Sequence, residues 1–156
     1  MTKKLSKEKI FMLKALEEAK KAYKKNEVPV GTVIVKDGKI VSKAHNLNIK
    51  TKDPTAHAEI LALRKASKKL GNYRLADCEL YTTLEPCAMC AGAMVYARIK
   101  KLVYAADDPK SGCCKSVLNI VNNNKFNHRI EVLNGIYKKQ AEMLLKKFFK
   151  KLREKN

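Results

Sequence analysis

Two pairs of residues in the middle of the chain have the types and spacing of a metal site. His57 and Glu59 are separated by one residue. Cys87 and Cys90 directly follow Pro86 and are separated by two residues. Imidazole nitrogen and thiolate sulfur are ligands that zinc prefers, and a site with three protein ligands keeps a fourth position for water. The pattern therefore predicts a catalytic zinc site in which His57 and both cysteines hold the metal.

A structural zinc site is the alternative that the same residues allow. Structural sites usually have four protein ligands and no open position. His45 ends a predicted strand near the site, so counting residues does not decide between the two kinds of site. The candidates for a fourth ligand are the other histidines and cysteines of the chain, which are His45, His128, Cys78, Cys113 and Cys114.

The helix starts predicted around these residues would bring the ligands together. Cys87 and Cys90 lie three positions apart at the start of one helix and therefore face the same way. His57 is expected in the first turn of another helix, which starts near Asp53–Thr55. Glu59 follows His57 by two residues, a spacing that turns the side chains about 200° apart on an ideal helix. Spacing alone therefore does not bring Glu59 to the metal.

Hydrophobic periodicity and turn residues divide the rest of the chain into helices and strands. Ser6 is expected to cap a basic amphipathic helix at about 6–25, and Asp37-Gly38 is the turn signal of a hairpin. A strand–helix–strand order around Cys87 predicts two parallel strands joined by a crossover. The other predicted elements are strands at 28–35, 40–45, 78–83, 99–106 and 130–133, a helix ending at Gly71, and helices at 87–97 and about 138–154. The sum is an α/β fold with a mixed sheet of about five strands and helices on both faces.

Length, charge and cysteine count narrow the class of protein. The 156 residues are expected to form a single domain, 1–156, without a membrane span or a signal peptide. Five cysteines, an odd count, argue against a disulfide framework and favour the cytoplasm. The formal net charge of +19, with basic helices at both ends, predicts a polyanion partner such as nucleic acid. Because most basic residues are lysine, a general lysine enrichment of exposed surfaces is the alternative explanation.

With its flanking motifs, the zinc pattern resembles the bacterial tRNA-specific adenosine deaminases, within the zinc-dependent cytidine and deoxycytidylate deaminase superfamily. The motifs that carry the resemblance are VPVG at 28–31, DPTAHAE at 53–59, NYRL at 72–75, LEPCAMCAGAM at 84–94, NHR at 127–129 and FF at 148–149. The resemblance implies a three-layer α/β/α cytidine-deaminase-like fold, one zinc ion per subunit and a homodimer. The implied reaction converts adenosine to inosine at the wobble position of tRNA anticodon loops, with Glu59 transferring protons.

The resemblance also implies which residues contact the substrate. The residues implied to contact the flipped purine are Asn46 and, through its backbone, Ala58. The residues implied to contact the surrounding anticodon stem-loop are Asp108, Lys110, Phe149 and Arg153. For Lys110, exposure to solvent without any RNA contact is an equally simple interpretation.

Two other functions are compatible with the zinc motif. A free guanine- or cytidine-type nucleobase or nucleotide deaminase would share the zinc chemistry but would not need a strongly basic surface. A non-catalytic RNA-binding protein would hold structural zinc with four protein ligands. Deamination of a tRNA that carries a wobble adenosine would separate these possibilities.

Overall fold

The core of the fold is a five-stranded mixed sheet. In the computed structural model, which describes residues 4–155, the strands are β1 (Gly31–Lys36), β2 (Lys39–His45), β3 (Cys78–Leu84), β4 (Lys101–Ala106) and β5 (Glu131–Asn134). Across the sheet their order is β2-β1-β3-β4-β5. β1 is antiparallel to β2 and β3, whereas β3, β4 and β5 run parallel. The mixed sheet and the parallel pair that flanks the cysteine helix are both confirmed.

Helices cover both faces of this sheet. They are α1 (Lys7–Lys24), α2 (Asn48–Thr51), α3 (Ala58–Leu70), α4 (Ala88–Tyr96) and α5 (Lys138–Glu154). Strand residues alternate between two buried clusters. Val33, Tyr81 and Val103 pack with residues of α1 and α5, whereas Leu80 and Leu102 pack with residues of α3 and α4. The predicted three-layer arrangement is therefore confirmed. Among residues 4–155, no helix has the length and apolar composition needed to cross a membrane.

Local sequence signals explain how the first elements begin and turn. The Ser6 hydroxyl accepts a 3.3 Å hydrogen bond from the backbone N–H of Lys9 and so caps α1. Asp37 and Gly38 have φ angles of 50° and 75°, as a type I′ hairpin turn requires. A Cβ atom on Gly31 would clash with the backbone of α1. This glycine therefore lets α1 pack directly against the first residue of β1.

Several predicted elements differ from the structure, and the strand expected at 28–35 is Gly31–Lys36. The helix expected to start near Asp53–Thr55 starts at Ala58, because Asp53 Oδ1 accepts from the backbone N–H and hydroxyl of Thr55 at 2.8 and 2.7 Å. These bonds form a local turn instead of a helix cap. The loop that follows β2 contains the short helix α2. The strand expected from residue 99 starts at Lys101, because the N–H of Ile99 still bonds to the last turn of α4.

Candidate active site

Three metal-ligating side chains converge at the edge of the sheet where β2 and β3 end. The Nδ1 atom of His57 lies 3.6 Å from Sγ of Cys87 and 3.4 Å from Sγ of Cys90. All three donor atoms lie within 4.8 Å of one another. One nitrogen and two sulfurs that face a common point form the donor set of a zinc site with three protein ligands. The fold therefore brings together the residues that spacing singled out, and their chemistry fits this metal.

Two helix N-termini present these donors. His57 is the N-cap of α3 and Cys87 the N-cap of α4, with ψ angles of 151° and 178° that make both backbones extended. Cys90 lies in the first turn of α4, and its backbone N–H donates to Cys87. The prediction that His57 lies inside the first helical turn is therefore wrong by one residue. The angle of about 200° between the His57 and Glu59 side chains is expected for two residues inside one helix. It does not apply to an extended N-cap, and both side chains line one cavity.

Hydrogen bonds among the three donors set their protonation. The Cys90 thiol lowers the pKa of Cys87 to about 4, and the His57 ring acts in the same direction against the effect of burial. The same thiol–thiol hydrogen bond, together with burial, raises the pKa of Cys90. The contact with Cys87 raises the pKa of His57. A metal cation between these groups would favour the deprotonated form of each, since ligands must lose their protons to bind it.

Glu59 lies beside the ligands as a buried carboxyl group. It is 4% exposed, and this burial raises its pKa to about 7 although the start of α3 and His57 favour the charged form. A carboxyl whose pKa lies near neutrality can both accept and donate a proton at physiological pH.

A cavity of about 390 Å³ opens above these groups, and its lining includes Asn46 together with His57, Glu59 and Cys87. The Oδ1 atom of Asn46 accepts a 2.7 Å hydrogen bond from the backbone N–H of Ala58. Because an N–H can only donate, this bond fixes the amide with Oδ1 toward α3 and leaves Nδ2 as a donor for another partner. The N–H of Ala58 therefore orients Asn46 instead of pointing into the cavity.

Within residues 4–155, the candidates for a fourth ligand have other partners or other positions. His45 is held between Glu18 and Lys25, at 3.1 Å from its Nδ1 and 3.0 Å from its Nε2. The Nε2 atom of His128 contacts a backbone carbonyl at 2.7 Å. The remaining thiols are buried outside the three-residue cluster and belong to Cys78, Cys113 and Cys114. The described part of the chain therefore offers three protein ligands and not four.

A second cavity, of about 670 Å³, continues from the first toward α5. The two cavities share the lining residues Val28, Leu84, Asp108 and Ser111. The second is also lined by Lys110, Phe149 and Arg153. Phe149 is 42% exposed and stands edge-on to the buried Phe148, with ring centroids 5.3 Å apart. All four residues predicted to contact RNA thus lie around one cavity that adjoins the metal-ligand cluster.

Asp108 shapes the wall between the two cavities. Its Oδ1 atom accepts from the backbone N–H groups of Lys110 and Ser111, both at 3.2 Å. The neighbouring Asp107 contacts Lys115 and Lys138 at 3.1 and 3.4 Å. Both adjacent acids line the second cavity, but only Asp108 also lines the first. Part of the Asp108 carboxylate is used to form its own turn.

Two buried glutamates around the first cavity were not predicted from the sequence. Glu27 is 1% exposed and accepts from the backbone N–H groups of Ile49 and Lys50 at 3.0 and 2.8 Å, where α2 begins. Glu85 is 2% exposed and accepts hydrogen bonds from the loop that follows β4. The one sequence signal for Glu85 is its place directly before the cysteine motif. Glu27 follows α1 without any distinguishing pattern.

Comparisons with known proteins agree with this geometry. The family described as MafB19-like deaminase matches residues 5–153. A tRNA-specific adenosine deaminase of Bacillus subtilis (strain 168) is 44% identical over 151 residues, which cover 97% of this chain and 94% of the relative. A tRNA-specific adenosine deaminase of Aquifex aeolicus (strain VF5) is 50% identical over 143 residues, covering 92% and 94%.

A solved structure supports the same relationship. It comes from work on A-to-I editing by tRNA:A34 deaminases at the wobble position of transfer RNA. Its TM-score is 0.84 at 40% sequence identity, and the match covers 87% of this chain and 99% of the solved chain. Fold, donor set and near full-length identity agree, and the chain belongs to the tRNA-specific adenosine deaminases, within the MafB19-like deaminase family.

Proposed function

We propose that this protein hydrolytically deaminates adenosine to inosine at the wobble position of tRNA anticodon loops. The observation that carries the proposal is the convergence of His57, Cys87 and Cys90 with the buried Glu59 on one cavity. The names of the relatives supply the choice of adenosine and tRNA. With tRNA as the substrate, the expected compartment is the cytoplasm, where the five thiols stay reduced.

One zinc ion per subunit is the proposed cofactor, with His57, Cys87 and Cys90 as its ligands. When bound, it would lower the pKa of a water molecule from about 15.7 toward about 7 and so supply the nucleophile. The expected zinc content is one ion per chain, measured by elemental analysis, and Cys90→Ser should reduce it. Four protein ligands, measured by X-ray absorption, would instead favour a structural site in an RNA-binding protein.

Glu59 is the proposed proton-transfer group. Its carboxylate accepts a proton as water attacks C6 of the adenine ring, and it returns protons to N1 and to the departing amine. The new bond joins C6 to the water oxygen, and the bond from C6 to the exocyclic nitrogen breaks. Water and adenosine thus give inosine and ammonia, with no net change at Glu59. Burial of this carboxyl beside the ligands supports the assignment.

Asn46 is the proposed contact for the flipped base. Its amide is fixed by the N–H of Ala58, so the free Nδ2 donor can bond to an acceptor on the purine without reorientation. A loop nucleotide is the suitable substrate, because a base that is already unstacked costs little to extrude. Ala58 contributes through this oriented amide.

The second cavity is the proposed site for the RNA that flanks the target base. Phe149 offers a partly exposed ring on which a base can stack, and Lys110 and Arg153 offer positive charge for phosphates. Asp108 lies where the two cavities meet. Affinity for the anticodon stem-loop should fall as salt concentration rises, because the phosphate contacts release counterions.

A homodimer is the proposed assembly, formed through the face that contains α4. No residue from Ala88 to Tyr96 is charged, although the chain carries a net charge of +19. Tyr96 and Tyr73 on this face are 82% and 69% exposed. Two copies that pack along the uncharged helix α4 would not bring like charges of this segment together. Light scattering should give the mass of two chains, and Tyr96→Lys should give the mass of one.

The decisive experiment offers the protein two classes of substrate. Wild-type protein and Glu59→Ala are incubated with a stem-loop that carries a wobble adenosine and, separately, with free bases and nucleosides. Inosine should appear in the stem-loop with wild type, and Glu59→Ala should keep zinc and fold but lose turnover. Activity confined to free guanine or cytidine would overturn the RNA substrate. Substantial turnover by zinc-loaded Glu59→Ala would overturn the role of Glu59.

A further inference from the structure

We propose that Glu85 is a positioning residue that holds the loop at 107–116 against the RNA substrate. The inference rests on the proposed function and concerns its substrate-facing wall. Glu85 directly follows β3, and the loop directly follows the neighbouring strand β4. β3 and β4 are parallel neighbours, so both segments leave the sheet at the same edge. The side chain of Glu85, after β3, therefore reaches the loop that follows β4.

The Glu85 carboxylate binds both ends of this loop. Oε1 accepts from the backbone N–H of Asp108 at 3.0 Å and from the hydroxyl of Ser116. Oε2 accepts from the backbone N–H groups of Cys114, Lys115 and Ser116 at 3.1, 2.9 and 2.9 Å. Both oxygens of a carboxylate accept and neither donates, so one group can satisfy all five donors. A neutral side chain with a single carbonyl oxygen lacks this capacity.

The loop is built around this carboxylate. Gly112 packs so closely on Glu85 that a Cβ atom there would clash with the carboxylate carbon and oxygens. The N–H of Gly112 bonds to the carbonyl of Asp108 at 2.8 Å, and the N–H of Cys113 bonds to the carbonyl of Pro86 at 2.8 Å. The loop is thus folded over Glu85 and attached to the segment that leads into the cysteine motif.

The loop, together with Glu85 itself, forms part of the wall of the substrate cavities. Asp108 and Ser111 line both cavities, and Lys110 lines the second. The Glu85 hydrogen bond to the N–H of Asp108 therefore acts on the residue that lies where the cavities meet. With both oxygens committed to the loop, Glu85 contributes position and not proton transfer. The proposed reacting carboxyl is Glu59, in the first turn of α3.

Glu85→Gln tests this assignment. The glutamine amide can accept hydrogen bonds only at its carbonyl oxygen. Its NH₂ group would replace the second carboxylate oxygen and would face N–H groups that are also donors. Loosening the loop should raise KM for a wobble-adenosine stem-loop by about tenfold, whereas kcat and zinc content should change less than about twofold. Hydrogen exchange of the amides of Asp108 and residues 114–116 should accelerate, with the amides of α3 and β3 unchanged.

Two further variants keep the test specific. Glu79→Gln is the matched control, because Glu79 lies near the other end of the same strand and accepts from Lys7 and Tyr81 at 2.9 and 2.7 Å. It should leave KM unchanged. Ser116→Ala removes one donor and leaves the carboxylate in place, so it should raise KM about two- to threefold even if Glu85→Gln does not fold.

The possible outcomes decide the matter. A selective rise in KM with local loss of amide protection supports the positioning role. A fall in kcat at constant KM, or a uniform loss of protection that matches Glu79→Gln, overturns it. If wild type acts on a free base and not on RNA, the proposed function fails. KM for that base in wild type and Glu85→Gln then decides whether the loop holds the substrate.

Discussion

Glu59 and Glu85 line the same cavity and are almost equally buried, at 4% and 2% exposure, but their environments have opposite effects. Burial raises the pKa of Glu59 to about 7. Burial also acts to raise the pKa of Glu85, but the hydrogen bonds from Ser116, Asp108 and Cys114 hold it below its ordinary value. Burial alone therefore does not identify a reacting carboxyl group. The number of donors that face it separates a proton carrier from a structural anion.

The largest effect is expected from a substitution of Glu59, the proposed proton-transfer group. Glu59→Gln preserves shape but cannot carry a proton, so kcat should fall by about 10³-fold or more. KM should stay within about threefold, because the change removes an interaction made in the transition state. Single-turnover deamination with measured zinc content tests this. A loss of zinc in the variant would show instead that Glu59 supports the metal ligands.

The pair also shows how far sequence alone reaches. The types and spacing of His57, Cys87 and Cys90 predicted that these side chains form one cluster, and two helix starts do bring their donor atoms together. The position of Glu59 could not be predicted by helical rotation, since His57 is an extended N-cap outside the helix. Hydrophobic periodicity and turn residues predicted the mixed sheet and the helices on both of its faces. Glu85 escaped prediction because its partners lie in the loop at 108–116, and no local pattern encodes contacts so distant in sequence.

The next largest effect is expected from a substitution that crowds the Glu85 carboxylate. Gly112→Ala would place a methyl group against the Glu85 carboxylate, which its hydrogen bonds prevent from moving away. The free energy of unfolding should fall by about 1–3 kcal/mol, as for other overpacked sites. Urea unfolding measures this change. In a Glu85→Ala background the same substitution should cost much less, and equal costs in both backgrounds would disprove the steric coupling.

A third buried glutamate extends the comparison to the strand that ends directly before Asn46. Glu18 is buried on α1 and contacts Lys21 at 2.6 Å and His45 at 3.1 Å. Lys25 donates to Nε2 of this ring, so the ring proton lies on Nδ1 and donates to Glu18. Glu18 is therefore a structural anion like Glu85, and it supports the residue directly before Asn46.

Glu18→Gln should lower stability by about 1–2 kcal/mol at pH 7. Burial would raise the pKa of Glu18, but the hydrogen bonds from Lys21 and His45 hold it below 4.5. A lowered pKa gives stability that is present above pH 4.5 and is lost as pH falls through the pKa of the folded state. The difference in Tm between wild type and Glu18→Gln should therefore shrink below that pH. Glu17→Gln, at an exposed position on the same helix, is the control and should change Tm little at any pH.

The smallest effect is expected at Glu27, the structural anion with two N–H donors. Its carboxylate binds the N–H groups of Ile49 and Lys50 at the start of α2, and Ile49 lines the first cavity. In Glu27→Gln the carbonyl oxygen can keep one of these hydrogen bonds. The free energy of unfolding should therefore fall by only about 1 kcal/mol. KM for the stem-loop should rise less than in Glu85→Gln, which loses more donors. Tm and KM measured on both variants test this order, and a larger effect at Glu27 would show that donor number does not rank the structural anions.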